Sequence, residues 1–137
     1  MLMPVETICL VDDDEIYQYT TQKYIEVRKL AQKILSFPDG EIAIDYLQEH
    51  IEEPACLPDK ILLDLSMPVM DGWEFLEEFV QLKPRIGKSI EVYIVSSSVN
   101  LRDLERARRI SEVSDYIVKP INDDKLEQIF ARVLDQS

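Results

Sequence analysis

Several short apolar runs in this sequence stop abruptly at a polar or charged residue. Runs of this kind are typical of strands that are buried on both faces of a parallel sheet. Helical periodicity follows each run, so strands and helices alternate along the chain, which predicts a mainly parallel sheet with right-handed crossovers. In such sheets, functional sites lie beyond the carboxyl ends of the strands. The candidate residues at those ends are Asp12, Asp13 and Asp14, then Asp64, then Ser96, and finally Lys119.

The pattern predicts five strand-helix units. The expected strands are 7–11, 31–37, 60–63, 91–95 and 115–118, and the expected helices are 15–27, 41–50, 73–80, 101–110 and 123–134. The second strand alternates only weakly, which indicates the edge of the sheet. In the first helix the apolar positions are Ile16, Tyr19, Tyr24 and Val27. Asp14 is interpreted as the cap of this helix and not as a ligand.

Length, charge and cysteine usage limit the classes of function. The 137 residues suffice for one core, so we expect a single domain over 1–137. A net charge of −12 disfavours binding to nucleic acid or to a membrane, and no apolar run approaches the ~20 residues of a spanning helix. Cys9 and Cys56 show neither a disulfide framework nor metal-ligand spacing. We therefore expect a cytoplasmic protein with reduced thiols, in which His50 has no site partner.

The acidic residues predicted at one edge of the sheet indicate a metal. Three converging carboxylates repel one another unless a cation is supplied. Oxygen ligands without histidine or cysteine suit Mg²⁺. A carboxylate can also accept a phosphoryl group, whose oxygens Lys119 and Ser96 would then contact.

These residues resemble the receiver domains of bacterial two-component response regulators, the superfamily of the chemotaxis regulator, over essentially the whole chain. The matching segments are 11–14, 62–68 with 70–72, the hydroxyl after the fourth strand, and Tyr116 ahead of Lys119 and Pro120. The resemblance implies a five-stranded parallel sheet in a (βα)5 doubly wound, flavodoxin-like sandwich. Two departures are Ser96-Ser97 in place of the usual Thr-Ala pair, and 111–115 in place of a Gly-Ala-rich turn.

The resemblance also implies roles around a bound Mg²⁺. Asp64 would be the phosphoryl acceptor, and Asp13 would be a direct metal ligand. Asp12 would act largely through metal-bound water. The backbone carbonyl of Ser66 would supply a further ligand.

Three other residues receive roles in signalling from the same resemblance. Lys119 would pair with the phosphoryl group, and Ser96 would be the switch hydroxyl, with Ser97 as the alternative if the register is shifted by one. Tyr116 would be the aromatic residue that turns inward on activation.

The function implied is a stand-alone signalling domain. A histidine kinase or a histidine phosphotransfer protein would donate the phosphoryl group, and the domain would catalyse only its own phosphorylation and dephosphorylation. With no output domain expected after Ser137, the signal would pass to an unknown downstream protein, and we expect a monomer or a weak dimer.

Two alternatives stay open. One is a degenerate receiver that binds partners without phosphorylation, which the intact acidic residues, Ser96 and Lys119 argue against. The other is a phosphatase of the haloacid-dehalogenase type. That class carries its nucleophile in an Asp-x-Asp pattern on the first strand, and residues 12–16 fit the pattern poorly.

Overall fold

The computed structural model describes residues 5–67, 69–97, 100–119 and 121–131. The strands are β1 (Val5–Val11), β2 (Ala31–Phe37), β3 (Lys60–Leu63), β4 (Glu91–Ser96) and β5 (Val113–Val118). The helices are α1 (Glu15–Arg28), α2 (Gly40–Glu49), α3 (Gly72–Leu82), α4 (Leu101–Arg108) and α5 (Asp123–Ala131). Short 3-10 helices span Pro54–Cys56 and Lys83–Arg85.

All strand pairs are parallel, in the order β2-β1-β3-β4-β5. This order confirms the predicted doubly wound sandwich and places β2 at an edge. The chain leaves β1 in one direction to form β2 and returns to form β3 on the other side of β1. The connection order therefore reverses beside β1, which is where sites form in open sheets of this type.

The sheet separates two apolar cores. On one face, α2, α3 and α4 cover the strands, with Phe75 and Phe79 fully buried. On the other face, α1 and α5 cover them, with Ile25 and Leu126 buried. Because β3 is covered on both faces, all four of its residues are buried, as its continuous apolar run predicts.

Aspartate side chains cap the amino ends of three helices. Asp14 accepts hydrogen bonds from the backbone N–H groups of Ile16 and Tyr17, which confirms its predicted role as a cap. Asp39 caps α2 in the same way. Asp71 forms a reciprocal capping box with Glu74 at the start of α3.

The buried face of α1 differs from the sequence-based expectation. Ile16 and Val27 are 79% and 75% exposed, whereas Gln18 and Thr21 are buried beside Ile25. A polar face can be buried here because the Gln18 side chain forms hydrogen bonds with the ends of β1 and β2. The apolar spacing predicted the helix correctly and its orientation wrongly.

The predicted element boundaries hold to within about two residues. β5 begins at Val113, two residues before the predicted start, and α4 ends at Arg108. Pro68, Ser98, Pro120 and the predicted continuation of the last helix to residue 134 lie outside the described residues. In the part of the chain that is described, no helix has the length and apolar character that crossing a membrane requires.

Candidate functional site

The pairing of β1 with β3 brings the predicted acidic residues together. Val11 is the register partner of Leu63, and the Asp64 N–H donates to the Val11 carbonyl at 2.9 Å. Asp12 and Asp13 therefore leave β1 directly beside Asp64. Carboxylate oxygens of the three residues all lie within 4.8 Å of one another. Asp12 and Asp64 are buried, whereas Asp13 is exposed.

Lys119 reaches this cluster from β5. Its backbone N–H donates to the Ser96 carbonyl at 2.8 Å, which fixes the chain just after the paired ends of β4 and β5. The Lys119 ammonium lies 2.7 Å from Asp12 Oδ2 and 3.9 Å from Asp64 Oδ1. Its closer partner is thus the neighbouring carboxylate and not the predicted acceptor.

The surroundings of the cluster raise the pKa values of two of its carboxyl groups, Asp64 and Asp12. Burial raises the pKa of Asp64 to about 6, and repulsion from Asp12 adds to this effect, whereas Lys119 and the Ser66 backbone N–H oppose it. Burial also raises the pKa of Asp12, against the opposing hydrogen bond from Lys119. The negative charge of the cluster is therefore only partly compensated, which is the condition under which a cation binds.

The Asp71-Gly72 pair shapes the loop that follows Asp64. The Gly72 N–H donates to the Leu65 carbonyl at 3.0 Å, and a Cβ at Gly72 would lie 2.5 Å from the Asp64 carbonyl oxygen. No side chain fits at that distance. Glycine thus allows the start of α3 to pack directly against the acceptor segment.

Ser66 and Ser96 line an open cleft of about 510 Å³ together with Asp13 and Trp73. Ser96 is buried, and Ser97 is exposed. Tyr116 is separate from this cleft. It pairs with Ile94 and lines the groove between α4 and β5.

Two residues near the site were missed by sequence reasoning. The Gln18 amide donates to the Asp12 and Phe37 carbonyls at 3.0 and 3.1 Å, and so it ties the loop after β1 to the end of β2. The Tyr17 ring lies 4.4 Å from the Lys119 ammonium, a cation–π contact on the side of α1. Their position in the first turn of α1, directly after the acidic segment, is the sequence feature that could have indicated a place near the site.

The fold and the site together define a doubly wound domain with an acidic, cation-deficient cluster at the carboxyl edge of its sheet. The sequence profile of the response regulator receiver domain matches residues 8–131. The chain therefore belongs to the receiver domain family, whose members are phosphoryl-accepting signalling domains that bind a divalent metal at the acidic pocket.

Individual relatives agree with this assignment. A two-component response regulator from Cytophaga hutchinsonii is 28% identical with a TM-score of 0.86, and the alignment covers 97% of this chain and 99% of that one. Response regulator Rcp1 from Synechocystis is 30% identical over 95% of this chain and 85% of its own length. Its Mn²⁺-bound crystal structure aligns with a TM-score of 0.72 at 28% identity, over 93% of this chain and 91% of that one. The phosphorylated cyanobacterial phytochrome response regulator RcpA is 30% identical with a TM-score of 0.72, over 96% and 92% of the two chains.

Proposed function

We propose that Asp64 is the phosphoryl acceptor of this receiver domain. The observation that carries the proposal is the convergence of three carboxylates, those of Asp12, Asp13 and Asp64, two of which lie within 4 Å of the Lys119 ammonium. With a pKa of about 6, the Asp64 carboxyl group is mostly ionised at neutral pH, the form that acts as a nucleophile. A carboxylate oxygen would bond to phosphorus while the bond between phosphorus and the donor's histidine nitrogen breaks.

The donor set of the cluster suits Mg²⁺. The three clustered side chains offer carboxylate oxygens, the hard ligands that this ion prefers. Asp13 and Asp64 would bind the ion directly together with the Ser66 backbone carbonyl, and Asp12 would act largely through metal-bound water. When bound, the ion supplies positive charge that offsets the repulsion between carboxylates and between them and phosphoryl oxygens. That the relative Rcp1 has a Mn²⁺-bound form supports divalent-metal binding by this chain.

Lys119 would pair with the phosphoryl group. Its ammonium is 3.9 Å from Asp64 Oδ1, and its side chain is 18% exposed, so a small rotation of its stem can bring it to oxygens added at Asp64. Since the ammonium is 2.7 Å from Asp12 Oδ2, Lys119 would have to leave this carboxylate to pair with a phosphoryl group. The Tyr17 ring then forms one wall of the space in which the ammonium moves.

The response would pass through Ser96 and Tyr116. Ser96 and Ile94 are two residues apart on β4, so their side chains lie on the same face of the sheet. Tyr116 on β5 is the register partner of Ile94. A shift of the Ser96 hydroxyl toward a phosphoryl group on Asp64 would therefore change the space beside Tyr116. The surface formed by α4, β5 and α5 would change with it and report the state to a downstream protein.

A histidine kinase or a histidine phosphotransfer protein is the proposed phosphoryl donor, because the phosphorus–nitrogen bond of its phosphohistidine can break as the Asp64 carboxylate accepts the group. An open cleft lined by Asp13, Ser66 and Ser96 lies beside the acidic cluster, and a partner's histidine would approach the acceptor through it.

Acceptor identity is tested by mass spectrometry after incubation with Mg²⁺ and acetyl phosphate. We expect the parent to gain one phosphoryl group and Asp64→Asn to gain none. Asp45→Asn, which removes an exposed carboxylate on α2, is the matched control and should label like the parent. Labelling mapped to Asp12 would instead favour the phosphatase class, and an unlabelled parent would favour a degenerate receiver.

The switch assignment is tested with two adjacent serines. Ser96→Ala should still accept a phosphoryl group on Asp64 but should lose the phosphorylation-dependent change in NMR signals from labelled tyrosines. Ser97→Ala should respond like the parent, since Ser97 is exposed and follows Ser96 on the extended segment. The reverse result would assign the switch to Ser97.

A further inference from the structure

A second group of metal-ligating side chains lies in the loop between α2 and β3. His50 follows the last residue of α2, and Cys56 ends the short 3-10 helix that begins just after Glu53. The Glu53 N–H donates to the His50 carbonyl at 2.9 Å, and the Cys56 N–H donates to the Glu53 carbonyl at 2.8 Å. Successive three-residue turns of this kind stack their first residues on one side of the chain.

The three side chains consequently converge. A ring nitrogen of His50, a carboxylate oxygen of Glu53 and the Cys56 sulfur all lie within 4.8 Å of one another. His50 Nδ1 is 2.8 Å from Glu53 Oε1, a partner that lies outside the acidic site. Ligand atoms of a tetrahedral zinc ion lie about 3.5 Å apart. Small side-chain rotations therefore suffice to form such a site.

The surrounding residues hold this loop in place. The Tyr46 hydroxyl donates to the Cys56 carbonyl at 2.8 Å, and the Tyr46 ring packs against the His50 ring with centroids 4.4 Å apart. The Lys88 ammonium donates to the Pro54 and Leu57 carbonyls at 3.2 and 3.0 Å. The donor atoms are thus presented by a backbone that is already ordered.

We propose that His50, Glu53 and Cys56 form a zinc site that is distinct from the acidic site at Asp64. Imidazole, carboxylate and thiolate are the protein ligands of Zn²⁺, and three of them leave a fourth position for water or an external ligand. The loop precedes β3, whereas Asp64 follows it, so the two sites lie at opposite edges of the sheet. Cys56 supplies a soft thiolate donor, whereas the cluster at Asp64 offers only oxygen ligands, so the two sites favour different metal ions.

Cobalt is the direct probe, because thiolate coordination to Co²⁺ gives a charge-transfer absorption that carboxylates do not give. The titration uses the full chain with excess Mg²⁺ to fill the acidic site, followed by displacement with Zn²⁺. The parent should show the absorption and lose it as Zn²⁺ binds. Cys56→Ser should lose the absorption and at least tenfold in Zn²⁺ affinity, and Glu53→Gln should bind Zn²⁺ more weakly with the absorption retained.

The second cysteine supplies the control. Cys9 is buried on β1 and is not one of the three clustered side chains, so Cys9→Ala should keep the absorption and the affinity. Asp13→Asn should keep both as well. Absence of the absorption in the parent, or its persistence in Cys56→Ser, would overturn the proposal. As an independent measurement, Zn²⁺ should slow alkylation of Cys56 in the parent, and equal rates with and without Zn²⁺ would contradict the site.

Discussion

The amino ends of the parallel strands form one edge of the sheet and their carboxyl ends form the other. Both edges contain buried charged residues, but the charges are compensated differently. At the amino edge, Lys60 on β3 pairs with Glu91, its register partner on β4, and Tyr93 adds a hydroxyl contact to the same carboxylate. At the carboxyl edge, three carboxylates converge and Lys119 lies near only two of them, Asp12 and Asp64. The first arrangement satisfies its charges within the described chain, whereas the second leaves negative charge for a ligand to neutralise. One edge is built for stability and the other for binding.

The largest expected effect comes from breaking the compensated edge. Lys60 is almost fully buried, so Lys60→Met should lower the unfolding free energy by about 3 kcal/mol, because Glu91 loses its partner. Partial exposure of Glu91 holds the loss to the lower part of the usual range. Urea denaturation measures the change.

Two variants serve as controls for that result. Lys60→Met combined with Glu91→Leu should recover much of the loss, since no unpaired charge remains. Lys23→Met removes an exposed contact to Glu26 at 3.9 Å and should cost less than about 0.5 kcal/mol. Equal losses from Lys60→Met and Lys23→Met would show that the amino edge is not held by its ion pair.

The next effect comes from removing charge at the uncompensated edge. The folded-state pKa of Asp64 is about 6, above the ~3.9 of an unfolded chain. Between about pH 4 and pH 6, the folded protein therefore keeps a proton on Asp64 that the unfolded chain has lost. This group's contribution to stability is complete below about pH 4 and is lost as the pH rises through 6. Without Mg²⁺, Asp64→Asn should therefore be more stable than the parent by about 2 kcal/mol at pH 7, with no advantage at pH 4.

Urea denaturation at several pH values checks this prediction. The advantage of Asp64→Asn should grow steadily between pH 4 and 6, while Asp45→Asn should follow the parent throughout. A difference between Asp64→Asn and the parent that does not change with pH would mean that the Asp64 carboxyl group is not destabilised by its surroundings.

A smaller effect is expected at Asp13, which is exposed and already hydrated. Without Mg²⁺, Asp13→Asn should be stabilised by about 1 kcal/mol, and Mg²⁺ should stabilise the parent more than the variant. Trp73 is the single tryptophan and lines the same cleft, so its fluorescence reports Mg²⁺ binding. Equal stabilisation of both proteins by Mg²⁺ would remove Asp13 from the ligand set.

The sequence predicted the carboxyl edge better than the amino edge for a physical reason. Apolar runs that end in Asp64 or Lys119 are visible in the chain, and parallel pairing must bring their ends to one edge. The partnership of Lys60 with Glu91 depends on the register of two strands that are distant in sequence. No local pattern specifies that register, so sequence analysis could only place Lys60 at the start of a buried strand.

Side-chain roles on α1 and in the α2–β3 loop were beyond sequence reasoning for a related reason. The periodicity of α1 pointed to Ile16 and Val27, but burial of Gln18 is offset by hydrogen bonds to strands elsewhere in the chain. The convergence of His50 and Cys56 depends on tight turns that composition does not encode. The first case depends on hydrogen bonds between elements and the second on local turn geometry, whereas the fold depends mainly on apolar patterning.

The smallest predicted effect concerns strain, which also lies at the carboxyl edge. Val69, in the loop after Asp64, has a φ of 69°, in the left-handed region that is unfavourable for a β-branched residue. Its side chain is 74% exposed, so its removal costs little packing. Glycine relieves the strain but increases the entropy of the unfolded chain, so Val69→Gly should stabilise the protein by about 0.5 kcal/mol. Val27→Gly is the matched control, since Val27 is 75% exposed but helical, and it should destabilise the protein by a similar amount. Opposite signs in thermal or urea denaturation would locate the strain at the carboxyl edge, and destabilisation by both substitutions would contradict it.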